Sequence, residues 1–94
     1  MATQVLASGS NTTPSSAFTL SAPTLVFLTG RDTTDSLSAT AEAALQVEGA
    51  SGQWMTIGYL RGLPIDQNSA VLPAGKYRTY RTRADSGTYG VAHA

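Results

Sequence analysis

The stretch Lys76-Tyr77-Arg78-Thr79-Tyr80-Arg81-Thr82-Arg83 places four cations and two tyrosines within eight residues, the densest grouping of chemically capable side chains in the chain. Cations beside stacking rings suit the phosphates and bases of single-stranded nucleic acid. They also suit an acidic protein surface. On a strand, Lys76, Arg78 and Tyr80 share one face, and Tyr77, Thr79, Arg81 and Arg83 the other. Charge on both faces argues against one dedicated groove, and six acidic side chains cancel the six basic ones. Edge strands carry such cations to discourage unwanted pairing. A solvated strand is therefore the leading reading, an acidic protein partner the second and nucleic acid the weakest. Trp54, the single tryptophan, has the ring for sugar stacking, but beside Met55 and Ile57 it reads first as core or interface.

The remaining reactive groups mostly eliminate themselves. His93 is the only histidine and stands next to the last residue given, a position expected to be solvated and unable to hold a catalytic base in a fixed geometry. Glu42 and Glu48 share the outward face of one strand pattern, yet six residues at about 3.3 Å put them roughly 20 Å apart. Glycosidase pairs need about 5–9.5 Å. Asp32 and Asp35 lack the spacing and further acidic ligands of a calcium loop and read as turn and cap residues. With no cysteine there is no disulfide, thiolate metal site or cysteine nucleophile. Asn11-Thr12-Thr13 matches the glycosylation pattern in letters only, because no secretion signal accompanies it. No catalytic, cofactor or metal site is expected, and an enzyme is the least favoured class.

The elements that must hold these residues read as strands. Leu37, Ala39, Ala41, Ala43, Leu45 and Val47 occupy every odd position from 37 to 47, a two-residue period with one buried face. The competing helix, capped by Asp35 with Leu37, Ala41, Ala44 and Leu45 as its stripe, leaves Ala43 and Val47 off axis. The three inward alanines require something to pack close against them. Gly49-Ala50-Ser51-Gly52 then joins this strand to residues 53–60, a hairpin signal that puts Met55, Ile57 and Tyr59 on one face and Trp54, Thr56, Gly58 and Leu60 on the other. Further strands are expected at 17–20, 24–29, 70–72, 76–83 and 88–92, with turns at Pro23, Pro73-Ala74-Gly75 and Asp85-Ser86-Gly87. Residues 25–28 are apolar on both faces, so that strand is covered on two sides or sealed by another subunit.

Residues 8–16 are rich in breakers, and residues 1–16 are expected to form a flexible N-terminal arm, although Val5 and Leu6 have the means to pin an edge strand. Residues 17–94 then make one β-domain. Its expected architecture is an antiparallel sandwich or small barrel of six to seven strands. Thirteen threonines and ten serines against twelve charged residues give a polar, neutral surface with no global pull on nucleic acid or membrane. The longest apolar run is four residues, too short for a membrane span. The absent cysteines and the lack of a signal-peptide pattern favour an intracellular origin.

Two segments carry a likeness to known proteins. The alternating strand ending in Gly-Ala-Ser-Gly-Gln-Trp54, and Leu72-Pro73-Ala74-Gly75-Lys76-Tyr77-Arg78 opening a late strand, resemble small virion accessory proteins of tailed bacteriophages over about residues 37–92. In that group such hairpins and turns recur in β-sandwich proteins that decorate heads or complete tails. The resemblance implies a structural virion role, most of all a capsid decoration protein made in the host bacterial cytoplasm, with the major capsid protein or another virion protein as partner. A tail or head-fibre module, or a carbohydrate- or nucleic-acid-binding module, is the alternative. The apolar segment 25–28 adds an expectation of a homodimer or trimer. Leu25, Phe27, Trp54, Lys76, Arg78, Tyr80, Arg81 and Arg83 are the candidate partner contacts.

Overall fold

The computed structural model of the chain describes residues 2–9, 12–29, 41–62, 67–82 and 89–94. Among these residues nine strands follow one another: β1 (Thr3–Gly9), β2 (Thr13–Pro14), β3 (Phe18–Leu20), β4 (Thr24–Thr29), β5 (Glu42–Glu48), β6 (Trp54–Arg61), β7 (Ser69–Leu72), β8 (Gly75–Arg81) and β9 (Tyr89–His93). They form two antiparallel sheets. Sheet A runs β1-β9-β4-β7, and sheet B runs β2-β8-β5-β6 with β3 pairing β8 on the same side as β2. The fold is an all-β sandwich, as the alternating patterns require.

Hydrophobic alternation decides which side chains lie between the sheets. Val26 and Leu28 of β4, Leu72 of β7 and Val91 of β9 meet Ala43 and Leu45 of β5, Leu60 of β6 and Tyr77 of β8 in one buried cluster. Full burial of a large apolar side chain contributes about 1.5–3 kcal/mol, so this layer is the main source of stability. The small residues of β5 answer a larger neighbour. Tyr89, fully buried on β9, donates its hydroxyl to the Glu42 carbonyl at 2.8 Å, between Ala41 and Ala43. Residues 37–40 lie outside the described residues, so the strand reading stands for 42–48.

Pro23 and Pro73 mark passages between layers. The chain leaves β3 in sheet B and enters β4 in sheet A across Ser21-Ala22-Pro23, and it returns from β7 to β8 across Pro73-Ala74. Proline fixes its own φ and removes a ladder donor, which suits a corner. Gly75 at that corner leaves room for the Tyr77 ring, which a Cβ would meet at 3.3 Å, while the Tyr77 hydroxyl donates to the Pro73 carbonyl.

The β5–β6 hairpin closes as its sequence demands. Gly52 N–H donates to the Gly49 carbonyl at 3.0 Å, Gly49 N–H donates to the Gln53 carbonyl at 2.7 Å, and Gly52 sits at φ 79°. A left-handed residue is what a three-residue hairpin loop needs at its end.

Four expectations are corrected. The described part of the arm, residues 2–9 and 12–16, is built into the sandwich: β1 pairs β9, Leu6 is buried, β2 pairs β8, and Ser15 exchanges hydrogen bonds with Thr79. With these two strands the described residues hold nine, against the six or seven expected. The basic strand is not an edge, since β8 is flanked by β5 on one side and by β2 and β3 on the other. His93 is no loose tail residue, for it lies in β9 with its ring stacked on Phe18 at 5.8 Å. The face assignment of β6 changes midway: a bulge between Leu45 and Gln46 leaves Met55 opposite Val47 but turns Leu60 inward opposite Ala43 and Tyr59 outward opposite Ala44. An extra residue on one strand shifts the two-residue phase beyond it.

Candidate functional site

The outward face of sheet B is built by three neighbouring strands in cross-strand rows. Glu48 pairs with Trp54, Gln46 with Arg78 and Thr56, Ala44 with Tyr80 and Tyr59, and Glu42 with Arg61. Directly opposed side chains on one face lie about 4.5–5.5 Å apart at Cβ, close enough for every row to interact. Ala44 is only 3% exposed although it faces outward, because Tyr59 and Tyr80 flank it.

Charge on this face is organised into pairs at the two ends. Lys76 Nζ lies 3.1 Å from the Glu48 carboxylate, and Arg61 Nε lies 3.0 Å from that of Glu42. Glu42 also accepts from the Thr82 hydroxyl at 2.7 Å, and the Arg61 guanidinium sits 4.8 Å from the centre of the Tyr59 ring. Both pairs are partly exposed and are worth at most about 1 kcal/mol each. Between them stands Arg78. Its Nε donates to Gln46 Oε1 at 2.6 Å, the Gln46 amide donates to Thr56 Oγ1 at 3.2 Å, and the guanidinium lies 4.9 Å from the centre of the Trp54 ring.

A second surface lies where the sandwich ends at β6 and β7. β6 packs against β4 and β7 across the layer, so the two edge strands share one side of the molecule. The large hydrophobic residues left exposed among the described residues are Met55, Ile57 and Tyr59 on β6, Val71 on β7, and Leu25 of β4, which pairs with Val71 on the outer face of sheet A. Four of them are aliphatic or thioether side chains with no polar end to justify exposure. Exposed apolar side chains on two neighbouring terminal strands are what an interaction surface needs.

The expected contact residues separate into three groups. Lys76, Arg78, Tyr80 and Trp54 come together on the outer face of sheet B. Leu25 and Phe27 lie on the outer face of sheet A, Leu25 exposed and Phe27 half-buried opposite Ser69 and Ala92. Arg81 is withdrawn from any surface: it is 5% exposed, and its Nη1 donates to the Ala7 and Tyr89 carbonyls at 3.0 and 2.7 Å. Its place as a contact is therefore corrected to a bracket between the sheets. Arg83 lies outside the described residues.

Gln46, Thr56, Tyr59 and Val71 were not among the expected contacts. Gly58 was the available signal for Tyr59, because a glycine inside a strand pattern often marks a bulge. Val71 carried no signal of its own, since a short apolar strand does not reveal from its residues that it closes a sheet. Among the described residues no three His, Cys, Asp or Glu side chains converge on a common point. Compared with known proteins, the chain matches no family model, no curated protein and no solved structure.

Proposed function

We propose that this chain is a structural binding protein, a capsid decoration protein that docks on the assembled head lattice of a tailed bacteriophage and associates with further copies of itself as a dimer or trimer. The observation that carries the reading is the exposure of Met55 and Ile57 on the terminal strand β6 and of Val71, with its cross-strand neighbour Leu25, at the terminal strand β7. Two exposed edges on one side invite contact with another chain. The bulge in β6 interrupts strand addition, so the side chains rather than the backbone ladder form the docking surface. A zero net charge removes repulsion between neighbouring copies on a crowded lattice. The resemblance of residues 37–92 to virion accessory proteins points the same way.

Co-sedimentation of the purified protein with intact and expanded capsids of its source tests this. Saturable binding at a fixed ratio to the capsid protein, lost in Ile57→Asp with the fold retained by circular dichroism, is the expected result. No binding to either capsid form, or binding unaffected by Ile57→Asp and Val71→Asp together, overturns it.

A further inference from the structure

Of the three cations described on the outer face of sheet B, Lys76 and Arg61 each have a carboxylate within 3.1 Å, and Arg78 has none among the described residues. Arg78 is also the most tightly oriented of the three. One edge of its guanidinium is fixed by Gln46, itself fixed by Thr56, and its plane rests beside the Trp54 ring. Its Nη1 and Nη2 groups have no acceptor among the described residues, so a fork of parallel donors is held ready with its positive charge uncompensated. Such a fork matches a carboxylate bidentately.

Aromatic rings surround the fork. Tyr80 stands two residues further along the same face of β8, about 6.6 Å away by strand geometry. Tyr59 faces it across Ala44 and is 44% exposed. That spacing is the reach of a sugar ring, its attached carboxylate and one hydrogen bond. We propose that this face binds carboxylated glycans, with Arg78 taking the carboxylate of a uronic acid unit and Tyr80 and Tyr59 carrying the sugar rings.

Charge complementarity favours a glycan over an acidic peptide. Three cations against Glu42 and Glu48 leave a single excess positive charge, centred on Arg78. A run of acidic residues would bring its neighbouring carboxylates against Glu42 and Glu48 at the two ends of the face. A chain of sugar rings carries its carboxylates singly, with neutral hydroxyls between them. This site uses none of Met55, Ile57, Val71 and Leu25, which carry the docking reading, so it can fail without affecting that reading, and the reverse holds too.

Trp54 is the single tryptophan and touches Arg78, which makes its fluorescence a direct reporter. The full chain is titrated with trigalacturonic acid, with its fully methyl-esterified form and with a hexaglutamate peptide. The expected result is a saturable change in emission with the acid, weakened at least about tenfold for the ester, for the peptide and in Arg78→Gln, as loss of a charge-assisted bidentate contact requires. Arg78→Lys falls nearly as far, because it keeps the charge but not the fork. No saturable response to the acid, equal binding of the ester, or peptide binding as tight as the acid overturns the proposal. The acid-to-ester and acid-to-peptide comparisons use the unaltered protein and stand whatever the variants do to folding.

Discussion

Arg81 and Arg78 lie on one strand three residues apart, and their fates are opposite. Arg81 falls on the inward phase of β8. It joins the two sheets through the carbonyls of Ala7 on β1 and Tyr89 on β9, its guanidinium 5.7 Å from the Tyr89 ring centre. Even Gly9 is shaped by it, because a Cβ there would lie 2.7 Å from Arg81 Nη2. Arg78 falls on the outward phase, braced by side chains alone and with two donor groups open. The difference teaches that strand phase, not residue type, assigns a cation to the space between the sheets or to the surface.

The comparison breaks most visibly at Arg81. Arg81→Ala removes the donor from two carbonyls and leaves a void beside Tyr89, for an expected loss of about 3–5 kcal/mol. A chain of this size has a total stability of about 5–14 kcal/mol, so the loss is a large share of it. Thermal unfolding followed by circular dichroism should show the midpoint falling by more than about 10 °C. A midpoint within about 4 °C of the parent protein would mean the bracket is not structural.

The same division by phase appears on β6, where the bulge sets it. Leu60 is 1% exposed opposite Ala43, while Ile57 is 52% exposed only three residues earlier. Leu60→Ala should cost about 2–5 kcal/mol by emptying core volume. Ile57→Ala should stay within about 0.5 kcal/mol, as surface substitutions do. Denaturant midpoints of the two variants measure the contrast, and equal losses would contradict the bulged register.

How much of this was legible in the sequence follows from the same physics. The alternation over 42–48 and the glycine-closed hairpin are local patterns, and they gave the strands and the all-β class directly. Arg81 was not legible, because a buried cation is recognised by the carbonyls that surround it, and those come from β1 and β9, more than seventy residues before it and eight after it. β1 was hidden for a related reason. Its polar, breaker-rich continuation reads as an arm, and only pairing with β9 at the other end of the sequence makes a strand of it. The Arg78 site was half legible: the face shared by Lys76, Arg78 and Tyr80 came from strand phase, but its partners Gln46, Thr56 and Tyr59 belong to strands whose register no local signal sets.

A smaller effect tests the second link between the layers. Tyr89→Phe removes the hydroxyl that reaches the Glu42 carbonyl, yet Thr82 N–H still donates to that carbonyl at 3.3 Å. The acceptor is therefore not orphaned, and the expected loss is about 1 kcal/mol. A midpoint lower by roughly 4–8 °C would agree, whereas a loss matching Arg81→Ala would make Tyr89 the main bracket and Arg81 its accessory.

The smallest effects belong to the outer face, and their size decides whether the comparison holds. Arg78→Gln gives up a cation–π contact worth about 0.5–1 kcal/mol at an exposed site and the hydrogen bond to Gln46, whose half-buried amide oxygen turns to water instead. Glu48→Gln gives up a partly exposed ion pair with Lys76 worth about 0.2–1 kcal/mol, screened further by salt. Each should leave the thermal midpoint within a few degrees of the parent protein, and the Glu48→Gln difference should shrink as salt rises. If Arg78→Gln instead unfolds the chain as far as Arg81→Ala, the guanidinium on Trp54 is a structural pin and the face has no spare cation to offer a ligand. Near-neutral stability has the opposite meaning. A cation oriented by Gln46 and Trp54 while contributing little to folding is held in place for something outside the fold.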